Sequence, residues 1–197
     1  SGALAEAIVR IHNDLGTPAR GANLRGISAS AGDINKDGHV DIWVESCGGQ
    51  NVCSHFLMNN GDGTFTEIGR AAGTDLLLNS RGVAVADFWN RGVLDIAVAA
   101  STDTHALLKN TGAPRHWLGV ELVGTTSNRD AVGARITVKV KGKLQMRELM
   151  SGDGYGSQNS LRQHFGTDEA TTVDEVVVKW PRSGTTQTFK NVAADRI

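Results

Sequence analysis

Apolar and polar residues alternate with a period of two along much of this chain. In "VDIWV" (40–44), Val40, Ile42 and Val44 share a face, and in "LDIAV" (94–98), Leu94, Ile96 and Val98 do the same. That period, with β-branched residues, predicts strands rather than helices. Trp43 alternates away from the Val40–Ile42–Val44 face, so it either meets solvent or packs separately. From about His116 the runs "WLGVELVG", "GARITVKVKG", "LQMRELMSG", "VDEVVVKWP" and "TQTFKNV" predict five more strands with turn residues between them. "ITVKVKG" and "VDEVVVKW" alternate as half-buried antiparallel strands do, which predicts a small β-sandwich or barrel. "ALAEAIVRI" near the start suits a short helix or a strand. The fold class expected is all-β.

The strands before residue 114 repeat a layout. "RGISASAGDINKDGHVDIWVES" (25–46) and "RGVAVADFWNRGVLDIAVAAS" (81–101) each run Arg-Gly, a strand of small residues, an Asp opening a turn, a Gly five residues later and an Asp eight residues later. Asp33 and Asp87, the opening aspartates, are 54 residues apart. Between the copies lies "HFLMNNGDGTFTEIGRAAGT", read as strand, turn, strand and loop. The segment "NTGAPRH" (110–116) makes a junction, so two regions are expected, 1–114 and 115–197.

Charge and composition sharpen this outline. Residues 1–114 carry 8 Lys and Arg against 12 Asp and Glu, a net of −4, and residues 115–197 carry 12 against 9, a net of +3. The first region is therefore suited to holding a cation. The whole chain is at −1, so no global field recruits nucleic acid or an acidic membrane. No apolar run approaches the roughly 18 residues of a membrane helix, and no signal peptide is visible. The 24 glycines against 3 prolines fit many tight turns. The chain begins at Ser1 rather than Met, which fits a processed or excised piece. Cys47 and Cys53, in "ESCGGQNVCSHF", are spaced wrongly for a zinc knuckle or a C-x-x-C redox pair. They flank what reads as a hairpin loop. A disulfide there is preferred to two free thiols; it would stabilise by only about 2 kcal/mol and would imply an oxidising compartment.

The candidate chemistry lies in "DINKDGHVD". Asp33, Asn35 and Asp37 place side-chain oxygens at alternate positions, and Gly38 can take the positive φ of a sharp turn. His39 would offer its backbone carbonyl, not its ring. Asp41 closes the loop where an EF-hand would use a distant Glu. Such a crowd of carboxylates repels itself without a cation, and a hard all-oxygen set favours Ca2+ over Mg2+. The bland reading is an Asx-rich surface turn. In the second copy Trp89 and Arg91 stand at the offsets of Asn35 and Asp37, so that copy is read as a turn that kept its shape and lost its ion.

These residues carry a resemblance. "DINKDGHVDIWV", "FLMNNGDGTFTEI" and the weaker "ADFWNRGVLDIAVA" resemble FG-GAP/VCBS repeats, the blades of integrin-type β-propellers. The resemblance implies about two partial blades, calcium-stabilised structure and adhesion. "HWLGVELVGTTSNRDAVGARITV", "SGDGYGSQNSLRQHFG" and "VDEVVVKWPRSGTTQTF" resemble the ASPIC/UnbV domain, which follows such repeats in secreted proteins similar to cartilage acidic protein. Two blades fall short of a closed propeller. Open blade edges therefore favour self-association or protein partners.

The expectation is a non-enzymatic, extracellular, calcium-binding structural or adhesion protein, with a multimeric or filamentous assembly as an option. The alternative is a carbohydrate- or glycoprotein-binding module using Trp43, Trp89, Trp117 or Trp180. Less favoured is a hydrolase around a polar Ser157–Gln158–His164 cluster. No H-E-x-x-H or G-x-S-x-G supports it, and its test is an exposed cleft containing His164.

Overall fold

The computed structural model describes residues 27–46, 54–76, 78–102 and 104–197. Cys47, Cys53, His12 and "ALAEAIVRI" lie outside them. The described residues form an all-β protein of antiparallel sheets with no helix and no closed barrel or propeller. Among them, no helix is long and apolar enough to cross a membrane.

Four strands form the first sheet as a meander: β1 (Ile27–Gly32), β2 (Asp41–Ser46), β3 (His55–Asn59) and β4 (Phe65–Glu67). The second sheet repeats the meander with β5 (Ser80–Ala86), β6 (Asp95–Ala100) and β7 (Ala106–Leu108). Short Asp- and Gly-bearing turns join β1 to β2, β3 to β4 and β5 to β6, so these neighbours in the chain pair as antiparallel neighbours in the sheet. The two sheets share one core. Trp43 and Phe56 of the first meet Val83, Val85, Ile96 and Val98 of the second, with Ile34 and Leu94 from the turns.

Trp43 is buried at 2% exposure, which resolves its two readings. Its indole N–H finds the Glu45 carboxylate, which also accepts from Ser54 Oγ at 2.9 Å, so the ring can enter a core without a stranded donor. Ile42, Val44 and Leu57 form a separate cluster on the opposite face. Val40 precedes β2 and is not among them.

The remaining strands are β8 (His116–Val120), β9 (Arg135–Val140), β10 (Lys143–Glu148), β11 (Gln163–Asp168), β12 (Thr172–Lys179) and β13 (Thr186–Ala193). One sheet runs β10-β9-β12-β13 and faces the pair β11-β8. Ile136, Val138, Val173, Val176 and Val178 pack on Leu118 and Phe165 between them. The alternation of β12 changes phase between Val173 and Val176, opposite Asn191, which holds a φ of 53°. The strand β11, in "RQHFG", is not among the five that the sequence predicts for this region. Four consecutive buried residues, His164–Thr167, hide its alternation.

The meanders and the later sheets are stitched together. Asn159 Oδ1 accepts from Ser30 Oγ at 2.6 Å and from Val85 N at 2.8 Å. Ser160 N donates to Val85 O at 3.2 Å, which covers the open edge of β5.

Candidate metal centre

The turn between β1 and β2 is built by its own side chains. Asp33 Oδ1 accepts from Asp37 N at 3.0 Å, and Oδ2 accepts from Gly38 N at 2.8 Å. Asn35 Oδ1 also accepts from Asp37 N, and Asp37 Oδ1 accepts from His39 N at 2.8 Å. Asp41 Oδ2 accepts from Ile34 N and Oδ1 from Asn59 N, both at 2.9 Å. Lys36 (φ 64°) and Gly38 (φ 89°) take left-handed conformations that let the chain double back. The sequence therefore places Asp33, Asn35, Asp37, His39 and Asp41 in one turn. The His39 ring lies against Gly61.

The second turn repeats the core of this plan, although Asp95 Oδ2 lacks the amide partner that Asp41 Oδ2 has in Ile34 N. Asp87 Oδ1 accepts from Arg91 N and Oδ2 from Gly92 N. Asn90 (φ 53°) and Gly92 (φ 70°) occupy the slots of Lys36 and Gly38. Asp95 Oδ1 accepts from Asn110 N at 2.8 Å, as Asp41 does from Asn59. Both asparagines tie the turn down: Asn59 Nδ2 donates to Val40 O, and Asn110 Nδ2 donates to Leu94 O. These anchors were missed from sequence, although Asn59-x-Gly61 and Asn110-x-Gly112 are a repeated signal for them.

The turns differ in charge. In the second, the Arg91 guanidinium donates to Asp95 Oδ1 at 2.8 Å and to Asn110 O at 3.2 Å. In the first, Asp37 stands where Arg91 does. Burial is the main cause that lifts the Asp33 carboxyl to about 6, and the charge of Asp37 adds to it. Burial likewise lifts Asp41 to about 7, although the Asn59 and Ile34 amides oppose it. The first turn therefore holds negative charge at a cost that an added cation would relieve.

The donor set fits a hard divalent cation. It is all oxygen: three carboxylates, the Asn35 amide and the His39 carbonyl. As the side chains stand, no three Asp, Glu, His or Cys groups among the described residues are close enough to enclose an ion. The Asn35 and backbone oxygens would thus be needed beside the carboxylates.

This turn also touches the later sheets. Gly166 N donates to Asp33 Oδ2 at 3.0 Å, and Asp168 N donates to Lys36 O at 3.0 Å. Arg115 Nη1 donates to Asn35 O at 3.2 Å, while its Nε pairs with Asp168 at 2.8 Å. The second turn docks differently: the Trp117 ring covers Gly92, and His164 Nε2 donates to Gly92 O at 3.2 Å.

The other sequence candidates are dispersed. Ser157 lies against Gly82 and Gly154, Gln158 bonds to Gly152 and Met150, and His164 reaches Gly92, so the three do not meet. His164 is 8% exposed and stacked on Trp117, not set in an open cleft. Trp180 Nε1 donates to Gln187, whereas Trp89 is exposed beside Phe88.

No curated protein matches the chain. The segment that holds β9 to β13, residues 124–197, matches the protein family described as ASPIC and UnbV.

Proposed function

We propose that this chain is a calcium-binding, non-enzymatic structural or adhesion protein of the extracellular space. Its first region is read as FG-GAP/VCBS-type repeats, related to those of secreted proteins similar to cartilage acidic protein. One observation carries the calcium reading: two turns share the core of a hydrogen-bond plan, and only in the second does a cation, Arg91, pair with the closing aspartate. The Asp33–Asp41 turn has Asp37 at the Arg91 position, and a bound cation takes the place of the guanidinium there. Calcium neutralises Asp33, Asp37 and Asp41 and staples β1 to β2.

With calcium at about ten times its Kd, mass action adds roughly 1.4 kcal/mol. For a chain of this size that is a rise of about 3–6 °C in Tm. Asp37→Ala is expected to lose most of the calcium-minus-chelator difference in Tm. Equal melting of the parent protein in calcium and in chelator sinks the reading.

A glycan-binding role is favoured by a separate observation. Phe88 and Trp89 are both 45% exposed and meet edge to face, with Lys109 Nζ 5.4 Å from the Trp89 ring centroid. An exposed aromatic with a cation beside it suits a sugar face carrying an acidic group. Titration with acidic oligosaccharides is expected to quench tryptophan fluorescence in the parent and not in Trp89→Ala. Equal quenching in both removes Trp89 from the role.

A further inference from the structure

We propose that cation binding at the Asp33 turn is coupled to the docking of β11 on that turn, with Gly166 as the coupling residue. This inference rests on the calcium reading above and extends it from one sheet to the junction between two.

Asp33 is shared between the two events. The Gly38 and Gly166 amides occupy both lone pairs of its Oδ2, and the Asp37 amide takes one on Oδ1. Docking therefore fixes the orientation of a carboxylate that is 0% exposed, and it leaves one Oδ1 lone pair uncommitted. Only glycine lets the strand come this close. A Cβ at 166 would stand 2.2 Å from Asp33 Oδ2 and 2.4 Å from Lys36 Cα. Gln145 Nε2 holds Gly166 from behind through its carbonyl at 2.7 Å, and the same amide lies over Gly38. Asp168 N on Lys36 O closes the clamp. Whatever orders Asp33 for the ion orders it for β11 as well, and linkage makes the effect mutual. The sister turn lacks this link: Asp87 takes amides from Arg91 and Gly92 of its own turn, and its docking runs through Trp117.

The experiment uses the full chain with Ca2+ as the probe. Amide hydrogen exchange is compared in calcium and in chelator, and Kd is measured by calorimetry for the parent, Gln145→Ala and Gly166→Ala. Chelation is expected to speed exchange at Gly166 and Asp168 at least tenfold, together with Asp37 and Gly38. Gln145→Ala is expected to weaken calcium binding three- to tenfold, and Gly166→Ala more than tenfold. Should Gly166→Ala not fold, the Gln145→Ala affinity and the exchange in the parent decide. Calcium protection confined to Asp37 and Gly38, with an unchanged Kd in Gln145→Ala, overturns the coupling and leaves the calcium reading standing. No calcium binding by the parent overturns both.

Discussion

Gly92→Ala is expected to lower stability by roughly 3 kcal/mol or more, from overpacking together with left-handed backbone strain. The new methyl group would fall 1.9 Å from Trp117 Cε2 and 2.0 Å from its Nε1. The ring cannot yield easily. It is stacked on His164 with centroids 5.8 Å apart and planes 6° apart, and His164 is itself hydrogen-bonded to Gly92 O. The backbone adds to the cost, because φ at Gly92 is 70°. Gly63→Ala is the control. Gly63 also has a positive φ, 90°, but nothing lies within 4 Å of its Cβ direction. That variant is expected to lose only about 1 kcal/mol. Urea denaturation followed by near-UV circular dichroism measures both. Equal losses in the two variants would mean that Trp117 does not press on the turn.

His164 is expected to make the protein acid-sensitive. Its Nε2–H is committed to Gly92 O, and its Nδ1 is buried without a partner. Burial pushes the imidazole down to about 4; Arg147 and Lys36 push the same way, while the Gly92 carbonyl and Asp87 oppose them. The folded value lies below the ordinary 6.5, so the unfolded chain takes up the proton first. The neutral ring's stability is fully present above pH 6.5 and is lost as pH falls from 6.5 towards 4. The loss amounts to about 3 kcal/mol.

Asp33 and Asp41 act in the opposite direction, since their raised values favour the folded state on acidification between 3.8 and about 6 to 7. The parent's own pH curve is therefore flattened, and the informative quantity is the difference between the parent and His164→Gln. That difference is expected to shrink by about 3 kcal/mol between pH 7 and pH 4. A constant difference would mean that the ring is free to protonate.

What could be read in the sequence divides along a physical line. Alternation exposed β2, β6, β9 and most of the later strands because one face of each is apolar. It failed at β11, where His164, Phe165, Gly166 and Thr167 are all buried and no polar face marks the period. The Asp33 and Asp87 turns were legible because local hydrogen bonding sets their residue types. Their tethers were less so. Asn59 and Asn110 reach back 18 and 15 residues to Asp41 and Asp95, and only the shared N-x-G hints at them. Gly166 reaches 133 residues to Asp33. No local pattern can announce a contact that distant, and one glycine among 24 gives no sign of its neighbour. Trp43 was ambiguous because its burial depends on a carboxylate two positions away that is also buried.

The contrast in strand order implies a timetable for assembly. The first two sheets pair only neighbours in the sequence, so each hairpin can close as soon as its second strand exists. The later strands pair out of turn: β9 waits for β12, and β8 waits for β11. Strand β8 is completed later still, when Gly119 N finds Arg196 O and Asp195 N finds Trp117 O. During synthesis the meanders would stand finished while Trp117 still lacks its partners. The surface around Gly92 thus stays open until β11 has been made, long after the meander that carries it, and a chaperone would have to shield it over that interval.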